Sequence, residues 1–103
     1  MTFAEIMEGV GKKVDSSTLE GTAVYQFRIT GEGGGDFFVD IREGQGQVQE
    51  GLAEEPNVTV TMEKEDFLAM VAGKMNATAA FFSGKIKIKG DMSLAMKLQS
   101  FLG

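Results

Sequence analysis

Residues 80–92 read AFFSGKIKIKGDM, and this stretch contains the junctions between three predicted elements. Gly84 ends a short helix, residues 85–89 alternate basic and apolar side chains with the period of a strand, and Gly90 ends that strand. Asp91 then provides a side chain that favours a helix N-terminus. The stretch therefore predicts helix, strand and helix, with both isoleucines of the strand on its buried face.

The helix that begins after Asp91 is apolar over more than one stripe of its surface. A single buried stripe at helical spacing is enough to pack a surface helix against a core. We expect one side of this helix to carry Leu94, Leu98, Phe101 and Leu102, and Met92, Ala95 and Met96 to widen that side.

The rest of the chain predicts four more strands and two more helices. Thr2 and Glu5 form a capping box for a helix at 3–13. Strands at 24–30 and 37–42 flank a glycine-rich turn and form a hairpin, and further strands are predicted near 47–51 and 58–62. An acidic turn precedes a helix that runs to Gly73, and Asn76 caps the short helix that ends at Gly84.

This order of elements predicts the α+β class: a five-stranded, antiparallel-rich sheet with its helices packed on one face. At 103 residues the chain is expected to form a single domain over 1–103.

Charge is distributed unevenly around a net value of −5. Fourteen of the fifteen acidic residues lie within residues 1–67, whereas the part from residue 68 onward carries five lysines and one acid. The negative total argues against general nucleic-acid binding but allows one basic patch.

The chain has no histidine and no cysteine, which excludes a serine triad, a thiol enzyme and a histidine or thiolate metal site. We therefore expect no enzyme, no cofactor and no metal. The glycine run at 31–35 lacks the third glycine and the following helix of a dinucleotide fingerprint, so we interpret it as a hairpin loop. Asp36 and Asp40 share a strand face near Arg28, where an ion pair explains them better than an active site does.

Eight phenylalanines and seven methionines are a large amount of apolar material for so short a chain. They are interpreted either as core or as the wall of an apolar cavity between the sheet and the helices, because methionine adapts to varied guests. Composition alone does not decide between these two interpretations.

Lys85, Lys87 and Lys89 lie on one exposed face of the predicted fifth strand. Such lysines protect a sheet edge from pairing with other chains. They also attract anionic membranes or a phosphate-bearing head group, and the two interpretations are compatible.

Four stretches together resemble the sterol carrier protein 2 family: 66–70 (DFLAM), 73–76 (GKMN), 80–92 and 94–98 (LAMKL). The similarity extends more loosely through 37–41 and covers about residues 20–102. It implies a hydrophobic tunnel that carries fatty acids, fatty acyl-CoA, sterols or phospholipids without turnover. By this resemblance the lipid-binding residues would be Phe27, Ile29, Val39, Val60, Phe67, Val71, Met75, Phe81, Leu94, Leu98 and Leu102, with Lys85, Lys87 and Lys89 as membrane or head-group contacts.

An alternative function is an accessory module that presents substrate to a lipid-metabolising enzyme, since members of the family occur fused to enzymes. A compact structural domain with a closed core is a third. The first residues show no signal peptide, no run reaches membrane-spanning length, and the last three lack a peroxisomal address. We therefore expect a cytoplasmic protein. The polar surface predicts a monomer, and the three lysines of the predicted fifth strand allow transient contact with an anionic membrane surface.

Overall fold

The computed structural model describes residues 2–16 and 21–102 and shows a five-stranded sheet with four helices. The elements in chain order are α1 (Phe3–Ser16), β1 (Ala23–Thr30), β2 (Gly35–Arg42), β3 (Gln45–Glu50), β4 (Val58–Glu63), α2 (Lys64–Val71), α3 (Ala77–Phe82), β5 (Ile86–Gly90) and α4 (Met92–Leu102). The α+β prediction is confirmed, with α1 and β3 displaced by a few residues at their ends from the predicted bounds.

The sheet has the order β3-β2-β1-β4-β5 and is mixed. β1 and β2 form the predicted antiparallel hairpin, in which Phe27 lies opposite Phe37. β2 pairs antiparallel with β3, and β4 pairs antiparallel with β5. β1 and β4 are parallel, with Phe27 next to Val60, so β4 can follow β3 only after a crossover.

Residues 51–57 make this crossover on the side of the sheet away from the helices. Gln26 belongs to that outer face, yet it is buried, because the crossover segment covers it. Its amide nitrogen donates to the carbonyl of Gly51 at 3.1 Å, and its amide oxygen accepts from the Ala53 N–H at 2.7 Å. The same nitrogen donates to the Phe37 carbonyl at 3.0 Å. These hydrogen bonds satisfy a buried amide and hold the crossover against the sheet.

The inner face carries the core, and four aromatic rings form its centre. Phe27 and Phe37 stack with their centroids 4.9 Å apart, and the ring of Phe67 from α2 lies edge-on to both at 6.0 and 5.9 Å. Phe3 of α1 contacts Phe37 from the other side at 6.0 Å. Stacked and edge-to-face pairs are favourable beyond the area that they bury, so this cluster joins α1 and α2 to the middle of the sheet.

Helix ends confirm the predicted caps. The Thr2 hydroxyl accepts from the Glu5 N–H at 3.2 Å while the Glu5 carboxylate accepts from the Thr2 N–H at 3.1 Å, which completes the capping box. The Asn76 side chain accepts from the Ala79 N–H at 3.1 Å and begins α3.

Acidic side chains of the outer face form ion pairs. Asp36 lies 3.3 Å from Arg28, as predicted, whereas Asp40 pairs with Arg42 at 3.1 Å. All four side chains retain exposure, so these pairs contribute little to stability.

The aromatic cluster gives the first test of the fold. Phe37→Ala removes a ring that contacts three others and is expected to lower the free energy of unfolding by about 3–5 kcal/mol, measured by urea denaturation followed by circular dichroism. Phe82→Ala is the matched control, since that ring is exposed, and should change the free energy of unfolding by only about 0.5 kcal/mol. Equal losses would contradict the assignment of Phe37 to the centre of the core.

Candidate functional site

An apolar cavity of about 170 Å³ lies beside the aromatic cluster, between the β4–β5 end of the sheet and helices α2, α3 and α4. We call it the β4–β5 cavity. Ten described residues line it, and nine of them are apolar: Val60, Met70, Thr78, Phe81, Phe82, Ile86, Ile88, Met92, Ala95 and Met96.

The inward-facing residues of β4 and β5 form the floor of the cavity, and strand alternation determines which residues these are. Ile86 and Ile88 lie opposite Met62 and Val60 of β4, and these four residues share the inner face. The intervening Lys87 lies opposite Thr61 on the outer face. The period of two therefore gives β5 one apolar face toward the cavity and one basic face away from it.

One face of α4 forms the outer wall of the cavity, and helical spacing determines which residues lie on that face. Met92, Ala95 and Met96 occupy positions i, i+3 and i+4 of α4 and so share one face of that helix. The larger side chains stand at the edge: Met92 is 43% exposed, Met96 is 59% exposed, and Phe82 of α3 is 81% exposed. We call these three residues the rim, because they border the cavity and solvent at once.

A compact joint fixes where α4 begins. Asn57 exchanges hydrogen bonds with the backbone of Val24 on β1, and its carbonyl accepts from the Asp91 N–H at 3.0 Å. Gly90, the residue before Asp91, packs against the backbone of Asn57 with φ at +114°, and a Cβ at Gly90 would collide with the Asn57 carbonyl oxygen. The joint thus requires a glycine and anchors the first turn of α4 to the sheet.

Asp91 caps α4. Its carboxylate accepts from the Ser93 hydroxyl at 2.6 Å, the Ser93 N–H at 2.9 Å and the Leu94 N–H at 3.3 Å. These donors, the Ser93 hydroxyl first, stabilise the charged form and hold the pKa of Asp91 below its ordinary value. The first turn of the cavity's outer wall is therefore held by an ionised cap at neutral pH.

The described lining of the site is mostly apolar and uncharged. None of the described lining residues is charged, and the chain contains no histidine or cysteine. Within residues 2–16 and 21–102 no group of three or more acidic side chains is arranged to hold a metal ion. Across the same residues, no helix is long and apolar enough to cross a membrane. The site can shield apolar groups from water, and its described lining offers no charged group for acid–base chemistry.

Comparison with known proteins agrees with this geometry. The model of the SCP-2 sterol transfer family matches residues 4–103. The chain belongs to the SCP-2 sterol transfer family. Palmitated SCP2L2 from Aedes aegypti, solved in solution, is 31% identical to this chain and superposes with a TM-score of 0.79, covering 96% of this chain and 92% of that one.

Two curated relatives are longer proteins. Hydroxysteroid dehydrogenase-like protein 2 of Xenopus laevis is 43% identical over 99% of this chain, which spans 24% of that relative. Human sterol carrier protein 2 is 37% identical over 97% of this chain, which spans 19% of it. The chain thus corresponds to about a fifth to a quarter of the length of these relatives.

The structure places the predicted lipid-binding residues of this SCP-2 family member in three settings. Val60 and Phe81 line the β4–β5 cavity. The remaining predicted residues whose side chains are described belong to the core or pack against its surface: Phe27, Ile29, Val39, Phe67, Val71, Met75 and Leu94. Leu98 and Leu102 lie on α4, and their side chains are outside the described part of the structure.

Most of the cavity lining was absent from the predicted site: Met70, Thr78, Phe82, Ile86, Ile88, Met92, Ala95 and Met96. The signals for several of these were available in the alternation of residues 85–89 and in the wide apolar face of α4. Sequence patterns identify the face on which a side chain lies. They do not show which residues on that face border empty space.

The predicted head-group contacts, Lys85, Lys87 and Lys89, are exposed. Lys87 and Lys89 lie opposite Thr61 and Thr59, on the sheet face away from the cavity, and β5 is an edge strand. The lysines therefore share an edge of the molecule with the cavity but do not line it.

The Asp91 cap predicts a definite pH response. Because its pKa is lower in the folded than in the unfolded chain, its stabilisation is present above the unfolded value and is lost as pH falls through the folded value, below about pH 4. An NMR titration of the carboxyl carbon should give a midpoint below the ordinary range, and Ser93→Ala should raise it. An ordinary midpoint in both proteins would contradict the cap geometry.

Proposed function

We propose that residues 1–103 form a single, non-enzymatic lipid-binding domain. Its ligands are fatty acids, fatty acyl-CoA, sterols or phospholipids, which it takes up reversibly and transfers. The observation that carries this proposal is the β4–β5 cavity, whose described lining is apolar in nine positions of ten and ends in a partly exposed apolar rim. Membership of the SCP-2 sterol transfer family supports the same function.

Burial of the acyl chain supplies the driving force. Each methylene removed from water contributes about 0.8 kcal/mol, so a sixteen-carbon chain offers roughly 12 kcal/mol of gross transfer free energy. A single hydrogen bond contributes about 1 kcal/mol. Because the described lining has no charged partner for a head group, chain burial dominates and head-group selection is loose.

The cavity must enlarge to take a whole chain. Its 170 Å³ is near the roughly 150 Å³ that holds benzene in an engineered protein core, and below the range of about 300–1,000 Å³ usual for ligand pockets. The rim supplies the means, since Phe82, Met92 and Met96 are the exposed part of the wall and flexible methionines repack at low cost. Entry thus proceeds by displacement of side chains between α3 and α4, while the joint at Gly90 keeps the start of α4 in place.

The structural relative supports carriage over the accessory-module alternative. Palmitated SCP2L2 is a chain of nearly the same extent as this one, so no additional large domain accompanies the fold in that structure. The dehydrogenase-like relatives contain much more chain, and the activity of those longer proteins is not transferred to this domain.

A variant that fills the cavity tests the proposed site. Ala95→Phe places a ring inside the lining and is expected to weaken binding of a fluorescent fatty-acyl probe at least about tenfold, because the space for the chain is lost. Ala95→Leu should give a smaller loss in the same direction. Affinity is measured by fluorescence titration, with native mass spectrometry to establish one lipid per chain and circular dichroism to establish the fold.

Ala79→Phe is the matched control for this experiment. Ala79 is exposed on α3 and does not line the cavity, so the added ring should leave probe affinity unchanged. Equal affinity in the Ala95→Phe and native proteins would show that the acyl chain binds elsewhere.

The predicted membrane contact remains part of the proposal. Lys87 and Lys89 lie on the edge strand next to the cavity and Lys85 directly precedes that strand. Exposed lysines near a charged bilayer contribute about 1 kcal/mol each. The protein would act as a cytoplasmic monomer that touches anionic membranes transiently with this edge. The lysines would orient the rim toward the surface, so that lipid passes between bilayer and cavity.

Transfer kinetics test this orientation. Lys87→Ala should slow delivery of a fluorescent lipid to phosphatidylserine vesicles about fivefold and delivery to neutral vesicles much less, since one attraction to the anionic surface is lost. Lys12→Ala is the control, because Lys12 is an exposed lysine of α1, which packs against β3 at the opposite end of the sheet. Equal slowing by both variants would refute a role specific to the β5 edge.

A further inference from the structure

Three methionine residues belong to the wall of the β4–β5 cavity, and they differ sharply in exposure. Met70 is buried at 1% exposure, whereas Met92 and Met96 of the rim are 43% and 59% exposed. Met92 and Met96 are one helical turn apart on the same face of α4. Two methionine side chains are thus exposed to solvent at the rim, where an apolar guest would pass under the proposed function.

We propose that Met92 and Met96 form a reversible oxidation site, and that conversion of their thioethers to sulfoxides weakens lipid binding. The inference rests on the proposed function, because it assigns a regulatory modification to the same cavity. The oxidant is a hydroperoxide, either hydrogen peroxide or an organic hydroperoxide.

The reaction is a single oxygen transfer. A sulfur lone pair attacks the outer oxygen of the hydroperoxide, an S–O bond forms as the O–O bond breaks, and the proton of the outer oxygen passes to the departing oxygen. The thioether is oxidised by two electrons and the hydroperoxide is reduced to an alcohol, or to water in the case of hydrogen peroxide. Enzymatic reduction of the sulfoxide restores the thioether.

Oxidation of Met92 and Met96 would weaken lipid binding because both residues border the apolar cavity. A sulfoxide is polar and chiral, and its oxygen must keep a hydrogen-bond partner when a lipid chain covers the rim. The described lining has Thr78 as its one polar side chain, so the wall offers little compensation. Oxidation should therefore weaken binding about tenfold, the effect of burying one polar group without full compensation.

The first experiment maps oxidation against affinity. The protein is treated with hydrogen peroxide, each methionine is followed by peptide mass spectrometry, and binding of a fluorescent fatty-acyl probe is titrated at each stage. Met92 and Met96 should oxidise before the buried Met62 and Met70, and probe affinity should fall in step with them. A methionine sulfoxide reductase should then restore the affinity.

Two variants separate this site from other methionines. In the Met92→Leu/Met96→Leu double variant, the ratio of affinities before and after peroxide should stay near one, whatever the starting affinity. Met7→Leu is the control, because Met7 lies in the groove between α1 and β3, and this variant should keep the full loss on oxidation.

The outcomes distinguish the inference from the proposed function. Failure of the untreated protein to bind the probe would overturn both. Normal binding that is unchanged once Met92 and Met96 are oxidised would overturn the inference alone. A tenfold loss that persists in the double variant would also overturn it, since another residue would then be responsible.

Discussion

The packing of Phe27 against Phe37 determines how space is divided above the sheet. Their rings stack at 4.9 Å on adjacent strands, Phe67 closes over both, and Phe3 fills the side toward α1. This buried cluster fills the middle of the inner face, so among the described residues no single cavity extends across the whole width of the sheet. An enclosed apolar space is left at the β4–β5 end, where smaller aliphatic side chains form the floor, and a more open groove lies between α1 and β3 at the other end.

At this end of the sheet, the outer wall of the cavity is anchored to the sheet where α4 begins. Asn57 links β1 to the start of α4, Gly90 allows the close approach, and Asp91 caps the helix. From this fixed end α4 presents methionines and an alanine to β5. Because the start of α4 is fixed and its methionine side chains are flexible, the wall keeps its position yet can adapt to a guest.

Local signals in the sequence were sufficient for much of the fold. The caps at Thr2, Asn76 and Asp91, the β1–β2 hairpin and the two faces of β5 all depend on residues within a few positions of one another. The family resemblance, carried by residues 66–98, is confirmed by the family match over 4–103.

Features that depend on distant packing were not accessible in this way. The parallel pairing of β1 with β4 relies on a crossover held by Gln26, which in the sequence is one more polar residue on an exposed strand face. Likewise, Phe27 and Phe67 are apolar residues of the kind that contact lipid, but their rings pack against one another, and the ring of Phe27 also stacks on Phe37. Their contact with lipid stays a prediction, whereas the rim methionines border the cavity directly.

An isotope-filtered NOE experiment on the protein with bound ¹³C-labelled palmitate tests most directly whether the acyl chain lies in the β4–β5 cavity. Cross-peaks are expected from the acyl methylenes to the methyl groups of Ile88, Ala95 and Met96, which line that cavity. Cross-peaks confined to Met7 and Val48, in the groove between α1 and β3, would contradict binding in the β4–β5 cavity and would place the lipid at the other end of the sheet.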